Sequence, residues 1–209
     1  MEYRDEIVQL TRWCKDNSLA LNASKTKEII VDFRRHQNNH SPIILDGTPV
    51  EIVSCFRFLG LQIADDLRWS HNTEATLKKA HQRLYPLRCL RKCNISTQWL
   101  VNFYRGTVES VLTNGITVWY GNTSAHDRKA IQRVVRTAEK IIGCSLPSIE
   151  EIHGTRCRNR AMSIIKDRNH PGHHLFTPLQ SGRRYRSIRT SSNRFRNSFY
   201  PEAVRLLNS

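Results

Sequence analysis

No apolar run in this 209-residue sequence approaches the roughly 20 residues that a membrane-crossing helix needs. No basic start followed by an apolar stretch marks a secretory signal. Both absences argue for an intracellular protein, nuclear or cytoplasmic, not secreted and with no membrane partner. The six cysteines (Cys14, Cys55, Cys89, Cys93, Cys144 and Cys157) contain no C-x-x-C pair, so neither a disulfide framework nor a common zinc module is expected. Reduced, mostly buried thiols are the expectation. Internal repeats and low-complexity tracts are also missing. Acid is scarce, with 18 Asp and Glu against 33 Lys and Arg and a net charge of +15. Such a surplus repels itself in a compact state unless an anion lies nearby. Nucleic acid is the commonest such partner.

The excess is uneven. From His153 to the end there are 12 Lys and Arg against 2 Asp and Glu; the preceding residues hold 21 against 16. A solvated, partly disordered tail and a phosphate-contacting arm both fit that composition.

Glu2 to Asp16 reads as a helix, because Tyr3, Ile7, Leu10 and Cys14 fall on one face. Strands are expected at Glu28–Phe33, at Ile43–Leu45 and Val50–Val53 around an Asp46-Gly47-Thr48-Pro49 turn, and at Phe56–Ile63. From Trp69 the pattern becomes helical. Leu77, Ala80, Leu84 and Leu87 make one stripe, with Pro86 expected to end or kink that helix near Leu84. A second helix after Ser96 carries Leu100, Phe103, Tyr104, Thr107 and Val111, and a short apolar piece spans Ile116–Tyr120.

The clearest helix starts at Ser124, where Asp127 forms a variant capping pair, and closes at Gly143. Ile131, Val134, Val135, Ala138, Ile141 and Ile142 share its apolar face. Lys129, Arg133, Arg136 and Lys140 form a nearly opposite basic stripe, either a solvated face or a phosphate-facing one. Pro147-Ser148 opens another helix to about Lys166, with a break possible at Gly154. His170 to His174 reads as a turn. Ser181–Arg196, with six arginines and five Ser or Thr, reads as loop or disorder, and Pro201–Leu207 as a last short helix.

Ala64-Asp65-Asp66 spells the core of a polymerase carboxylate box, which holds two divalent metals for nucleotidyl transfer. That box sits in a hairpin between two apolar strands. Here Leu67-Arg68-Trp69-Ser70 runs straight into a helix, so the pair is expected in a helix-leading turn and no metal site is assigned. Zinc at Cys144, His153, Cys157 and His170 (or His173, His174) is left open, although spacings of 9, 4 and 13 do not match the tight pairs of common zinc modules.

WCKDNSLALNASKTKEIIVDFRR (Trp13–Arg35) and CFRFLGLQI (Cys55–Ile63) resemble segments just after the carboxylate box of non-LTR (LINE-type) retrotransposon reverse transcriptases. Ser70–Lys92, Asn102–Asn122, Asp127–Gly143 and Ser181–Asn208 are similar to later parts of CR1/L2/Rex-like members. The resemblance implies a C-terminal fragment beginning after the chemistry: palm edge, thumb and basic C-terminal region. It implies that Phe58, Leu59 and Gly60 match the primer-grip segment. Lys25 would match a palm lysine near the leaving pyrophosphate, where an ammonium can neutralise and protonate an anion. Mg2+ would belong to the intact polymerase only, and the fragment itself is expected to need no cofactor. The region Trp69–Lys92 also resembles the N-terminal segment of the AlkB-homologue-eight family. That family joins an oxygenase to a methyltransferase, yet no H-x-D or H-x-E pair and no glycine-rich loop occur here.

The resulting expectation is an α+β chain: residues 1–68 a helix with a small antiparallel palm-type sheet, 69–145 a helical thumb-like region, 146–209 a basic, partly irregular region. The expected function is a nucleic-acid-binding remnant of an RNA-directed DNA polymerase, inactive alone. The alternatives are a non-enzymatic RNA- or DNA-binding module, or a chain carrying the AlkB-homologue-eight-like segment without that chemistry. Its partners would be an RNA or DNA template–primer and the missing polymerase portion in trans. Phosphate contacts are expected from Lys78, Lys79, Arg83, Arg88, Arg91 and Lys92, from the Lys129–Lys140 stripe, and from Arg183, Arg184, Arg186 and Arg189, with Tyr185 and Phe195 available to stack on bases.

Overall fold

Asp46 and Gly47 both adopt left-handed backbone angles, φ +46° and +78°. Two consecutive positive φ values match the twist of a tight hairpin, which is why an Asp-Gly pair sits here. They join β2 (Ile44–Leu45) to β3 (Thr48–Pro49), with Leu45 opposite Thr48. The turn is thus two residues shorter than the four-residue Asp46–Pro49 loop that the sequence suggests. Leu59 (+47°) and Gly60 (+87°) repeat the device between β5 (Cys55–Phe58) and β6 (Leu61–Ala64). One strand was expected across that stretch. The reversal at Leu59-Gly60 makes it two, because Gly60 tolerates the left-handed angle that a strand interior would not use.

The computed structural model describes residues 3–34 and 40–209; Met1, Glu2 and residues 35–39, which include Arg35 of the resemblance segment, lie outside the described residues. The chain is α+β and divides into two compact units, Met1–Arg68 and Trp69–Ser209.

In the first unit, α1 (Tyr3–Asp16) buries Cys14, and Ile7 packs on a small core of Ile43, Leu45 and Val50. Tyr3 and Leu10, on the same stripe, stay exposed. The expected strand at Glu28–Phe33 shrinks to β1 (Lys27–Glu28), paired in parallel with β4 (Glu51–Ile52) and tied by a Lys27–Glu51 ion pair. Val53 N–H donates to Glu28 O, and the described strand ends there. Among the described residues the unit therefore holds three two-stranded pieces, one of them parallel, instead of one largely antiparallel sheet.

In the second unit, α2 (Ser70–Lys92) runs unbroken through Pro86. Pro86 cannot donate to the Gln82 carbonyl, but both residues are exposed, so water can satisfy that oxygen. The helix therefore does not end near Leu84 but runs on to Lys92. Ala80, Leu84 and Leu87 form the buried face, and α2 packs on α6 (Ala125–Ile142).

Between them, α3 (Thr97–Tyr104), a π turn (Arg105–Glu109) and α4 (Ser110–Leu112) form one rod. Its buried residues, Leu100, Tyr104, Val108 and Leu112, recur every fourth position. In a pure α-helix that row would drift by roughly 120° over its length; the wider π turn brings it back. The Arg83 guanidinium donates to the Thr107 carbonyl within that turn, at 2.7 Å. Gly115 (φ +58°) then starts α5 (Ile116–Trp119), whose Trp119 is fully buried with its indole N–H on the Asn114 carbonyl.

Helix α6 begins as the sequence predicts: the Ser124 side chain accepts from Asp127 N–H, and Gly143 (φ +84°) ends the helix. α7 (Ile149–Lys166) opens with a full capping box between Ser148 and Glu151. It continues through Gly154, which faces Leu206 of α9 (Phe199–Asn208). That packing overrides the roughly 1 kcal/mol helix penalty of a glycine. α9 starts two residues before the expected Pro201, which falls in the first turn where a missing N–H costs nothing.

Ala161, Ile164, Phe176, Ala203 and Val204 form a second buried cluster, with Tyr185 and Ile188 packed against it. The arginine-rich segment is irregular apart from α8 (Asn193–Arg196), yet it is anchored. Asn208 bonds both the N–H and the carbonyl of Tyr185, at 2.8 and 2.9 Å. A composition with little periodicity could not reveal that two apolar side chains would pin it down.

A candidate nucleic-acid interface

The basic stripe of α6 is exposed along its length: Lys129, Arg133, Arg136 and Lys140 all face solvent, while Ile131, Val134, Val135, Ala138 and Ile142 are buried. Three of the four cations do more than line a helix. Lys129, Arg133 and Arg136 border a groove of about 610 Å³, shared with Tyr120, Arg128, Gln132, Ser148 and Glu150. Lys140 lies one turn beyond it.

Arg128 is held in place. Its guanidinium donates to the carbonyls of Tyr120 and Gly121, at 3.2 and 2.7 Å, and sits 4.9 Å over the Tyr120 ring. The start of α7 forms the other wall. Its first N–H, on Ile149, donates to the Gln132 side chain at 3.1 Å. The N–H groups of Ser148 and Glu151 are taken by the capping box, and the bonds that the Glu151 carboxylate accepts from the Ser148 N–H and hydroxyl hold it below its usual range. The positive field of the groove therefore comes from four side-chain cations, with the exposed Glu150 as the acid on its rim. Guanidinium forks match phosphate oxygens in pairs, so the chemistry suits a phosphodiester.

Sequence reading missed Arg128, Gln132, Tyr120 and Ser148. The signal was present: Arg128, Gln132 and Arg136 recur at four-residue steps, a row beside the basic stripe.

On α2 the six cations are all exposed but share no single face. Arg83 is partly committed to Thr107, and the Arg91 guanidinium lies 3.8 Å from where a side chain on Gly143 would begin. Arg183, Arg184, Arg186 and Arg189 are exposed on a turn closed by Leu179 N–H to Arg184 O and Arg186 N–H to Thr177 O, both 2.8 Å. Alternation along that extended stretch points Tyr185 inward, edge-on to Phe176 with centroids 6.3 Å apart. Tyr185 is thereby withdrawn from the stacking expected of it; Phe195 stays exposed.

In the first unit, Lys25 is exposed in a tight turn whose Asn22 side chain accepts from its N–H at 3.1 Å. Phe58, Leu59 and Gly60 form a hairpin tip, with Leu59 84% exposed. Asp66 accepts from Arg68 N–H at 2.7 Å and faces the Arg68 side chain, so Asp65-Asp66 lies in a turn leading to α2. The donor set does not fit the paired magnesium ions of a polymerase: among the described residues no three His, Cys, Asp or Glu groups meet in a metal-holding arrangement. The four zinc candidates are not brought together. His153 and Cys157 pair in the interior, while His170 accepts from Gly172 N–H through Nδ1.

Residues 69–110, from the start of α2 to the first residue of α4, match the family model described as alkylated DNA repair protein alkB homolog 8, N-terminal. A probable RNA-directed DNA polymerase from transposon BS of Drosophila melanogaster is 25% identical over 118 residues, covering 56% of this chain. The chain spans 13% of that relative's length at this match. No solved structure matches. No described helix is long and apolar enough to cross a membrane.

Proposed function

We propose that this chain is a nucleic-acid-binding segment related to LINE-type RNA-directed DNA polymerases, gripping the sugar-phosphate backbone through its second unit. The observation that carries the reading is the groove of Arg128, Lys129, Arg133 and Arg136, with one rim acid in a chain of net charge +15. The similarity to a transposon polymerase supports the same class of partner. Phosphate contacts by Lys78, Lys79, Arg88 and Lys92, and by the arginines of residues 183–189, extend the surface. Phe58, Leu59 and Gly60 would act as the primer-grip tip and Lys25 as the pyrophosphate-side lysine only within an intact polymerase, as would any Mg2+. The chain alone performs no nucleotidyl transfer.

The match over residues 69–110 favours a second reading, in which α2 to α4 is a helical module found also in AlkB-homologue-eight proteins, here without oxygenase or methyltransferase chemistry.

The test is a titration of labelled single-stranded RNA and DNA at several salt concentrations. Each phosphate neutralised contributes about 0.7 to 0.9 to the salt slope. A slope of several units supports the reading. A flat salt dependence, or no binding at low salt, refutes it.

A further inference from the structure

Tyr85 is 69% exposed on the side of α2 that faces away from Ala80, Leu84 and Leu87. An exposed tyrosine alone means little. Its neighbours on that face are what distinguish it. Lys78 and Lys92 lie seven residues to either side, His81 one turn before and Arg88 one turn after, all exposed. At about 1.5 Å per residue the two lysines stand roughly 10 Å from the ring along the helix axis, one above and one below. The other residues of the face, Gln82 and Cys89, are exposed and polar or small. Glu74 is the only acid on α2. No ion pair or side-chain hydrogen bond engages Lys78, Arg88 or Lys92 among the described residues.

A helix face that docks a protein partner carries an apolar row at three- and four-residue steps. This face carries one aromatic ring among cations. That pattern fits a strand of nucleic acid, whose bases offer flat π faces and whose phosphates repeat on both sides of each base. We propose that Tyr85 stacks on an unpaired base while Lys78, Arg88 and Lys92 hold the phosphates that flank it. The inference rests on the nucleic-acid reading above and narrows it: the preferred ligand is single-stranded, and its bases, not only its charge, are felt.

The test uses the full chain and three labelled 12-mers of equal charge or charge density: oligouridylate, an abasic sugar-phosphate strand, and a duplex. Binding is read by fluorescence anisotropy for the wild type, Tyr85→Ala and Tyr85→Phe. Stacking worth one base predicts that Tyr85→Ala weakens oligouridylate binding by about 5- to 150-fold. Binding to the abasic strand stays unchanged, and Tyr85→Phe restores wild-type affinity. Overlapping thermal melts of the three proteins are expected, since the side chain is exposed. An equal loss on the abasic strand, or no loss on either, overturns the stacking role. So does a preference for the duplex that the alanine variant leaves untouched. A wild type that binds none of the three at low salt refutes the underlying nucleic-acid reading instead.

Discussion

The Nε2 of His153 lies 3.3 Å from the sulfur of Cys157, one turn along α7 and out of reach of solvent. The Tyr120 ring covers the imidazole, with centroids 4.9 Å apart. Cysteine beside histidine suggests a nucleophile, but an ionised pair would be costly in so dry a place. Burial, reinforced by Glu202, pushes the Cys157 thiol up to about 11. Burial also lowers the pKa of His153, with Arg128 acting in the same direction and Glu202 and Glu150 opposing. Both groups stay neutral at pH 7 and serve the core.

Thiol labelling at pH 8 therefore separates the cysteines. Cys89 and Cys93 are exposed and should react with iodoacetamide within the native state. Cys157 should react only after unfolding. Modification of Cys157 at the same rate as Cys89, read by mass spectrometry, would show the interior to be open.

Acid should weaken the second unit through His153. Its folded pKa lies below the ordinary value of 6.5, so the unfolded chain takes up the proton first. Stability from this group is full above about pH 6.5 and is lost as pH falls from there through the folded pKa. Urea midpoints measured between pH 8 and 5 should fall across that window. His153→Gln should flatten the fall even if it lowers the midpoint overall.

Two glycines should respond oppositely to alanine. At Gly121 a new methyl would stand 2.1 Å from the Asn197 carbonyl, so Gly121→Ala must displace backbone and should cost about 1–3 kcal/mol. At Gly106 nothing lies within 4 Å, and the helical position should gain about 0.5–1 kcal/mol from alanine. Denaturant melts of the pair decide the matter, and equal shifts would contradict the close approach at Gly121.

Charge removal in the groove should read as salt dependence. Arg133→Ala with Arg136→Ala should reduce the slope of log affinity against log salt by about 1.4 to 1.8, with weakening spread evenly over sequences. Lys140→Ala, outside the groove, should change the slope less. If the order is reversed, the groove does not carry the phosphates.

Where the sequence carried a strong local signal, the fold followed it. α6 has a cap at Ser124, two opposed stripes and a closing Gly143, and every part is where those residues put it. Pro86 misled as a helix stop, because its cost depends on whether the orphaned carbonyl meets water, which only the fold decides. Glu28–Phe33 is apolar enough for a strand, but a ladder also needs a partner, and among the described residues β4 pairs with Lys27 and Glu28. At Leu59-Gly60 only the glycine signalled a turn; Leu59 takes a left-handed angle that leucine rarely adopts, and the apolar flanks read as one strand. The basic stripe on α6 was visible as periodicity. The groove was not, because its second wall comes from Ser148 and Glu150, brought alongside by tertiary packing alone.

The π turn at Arg105–Glu109 has an implication for how this rod can change length. A single surplus residue is absorbed there without twisting either flank, so Leu100 and Leu112 would keep their orientation whether that residue is present or lost. Relatives that are one position shorter between Tyr104 and Ser110 can therefore share the same interior, and an alignment gap at this point is a change of girth in one turn, not a shift of register.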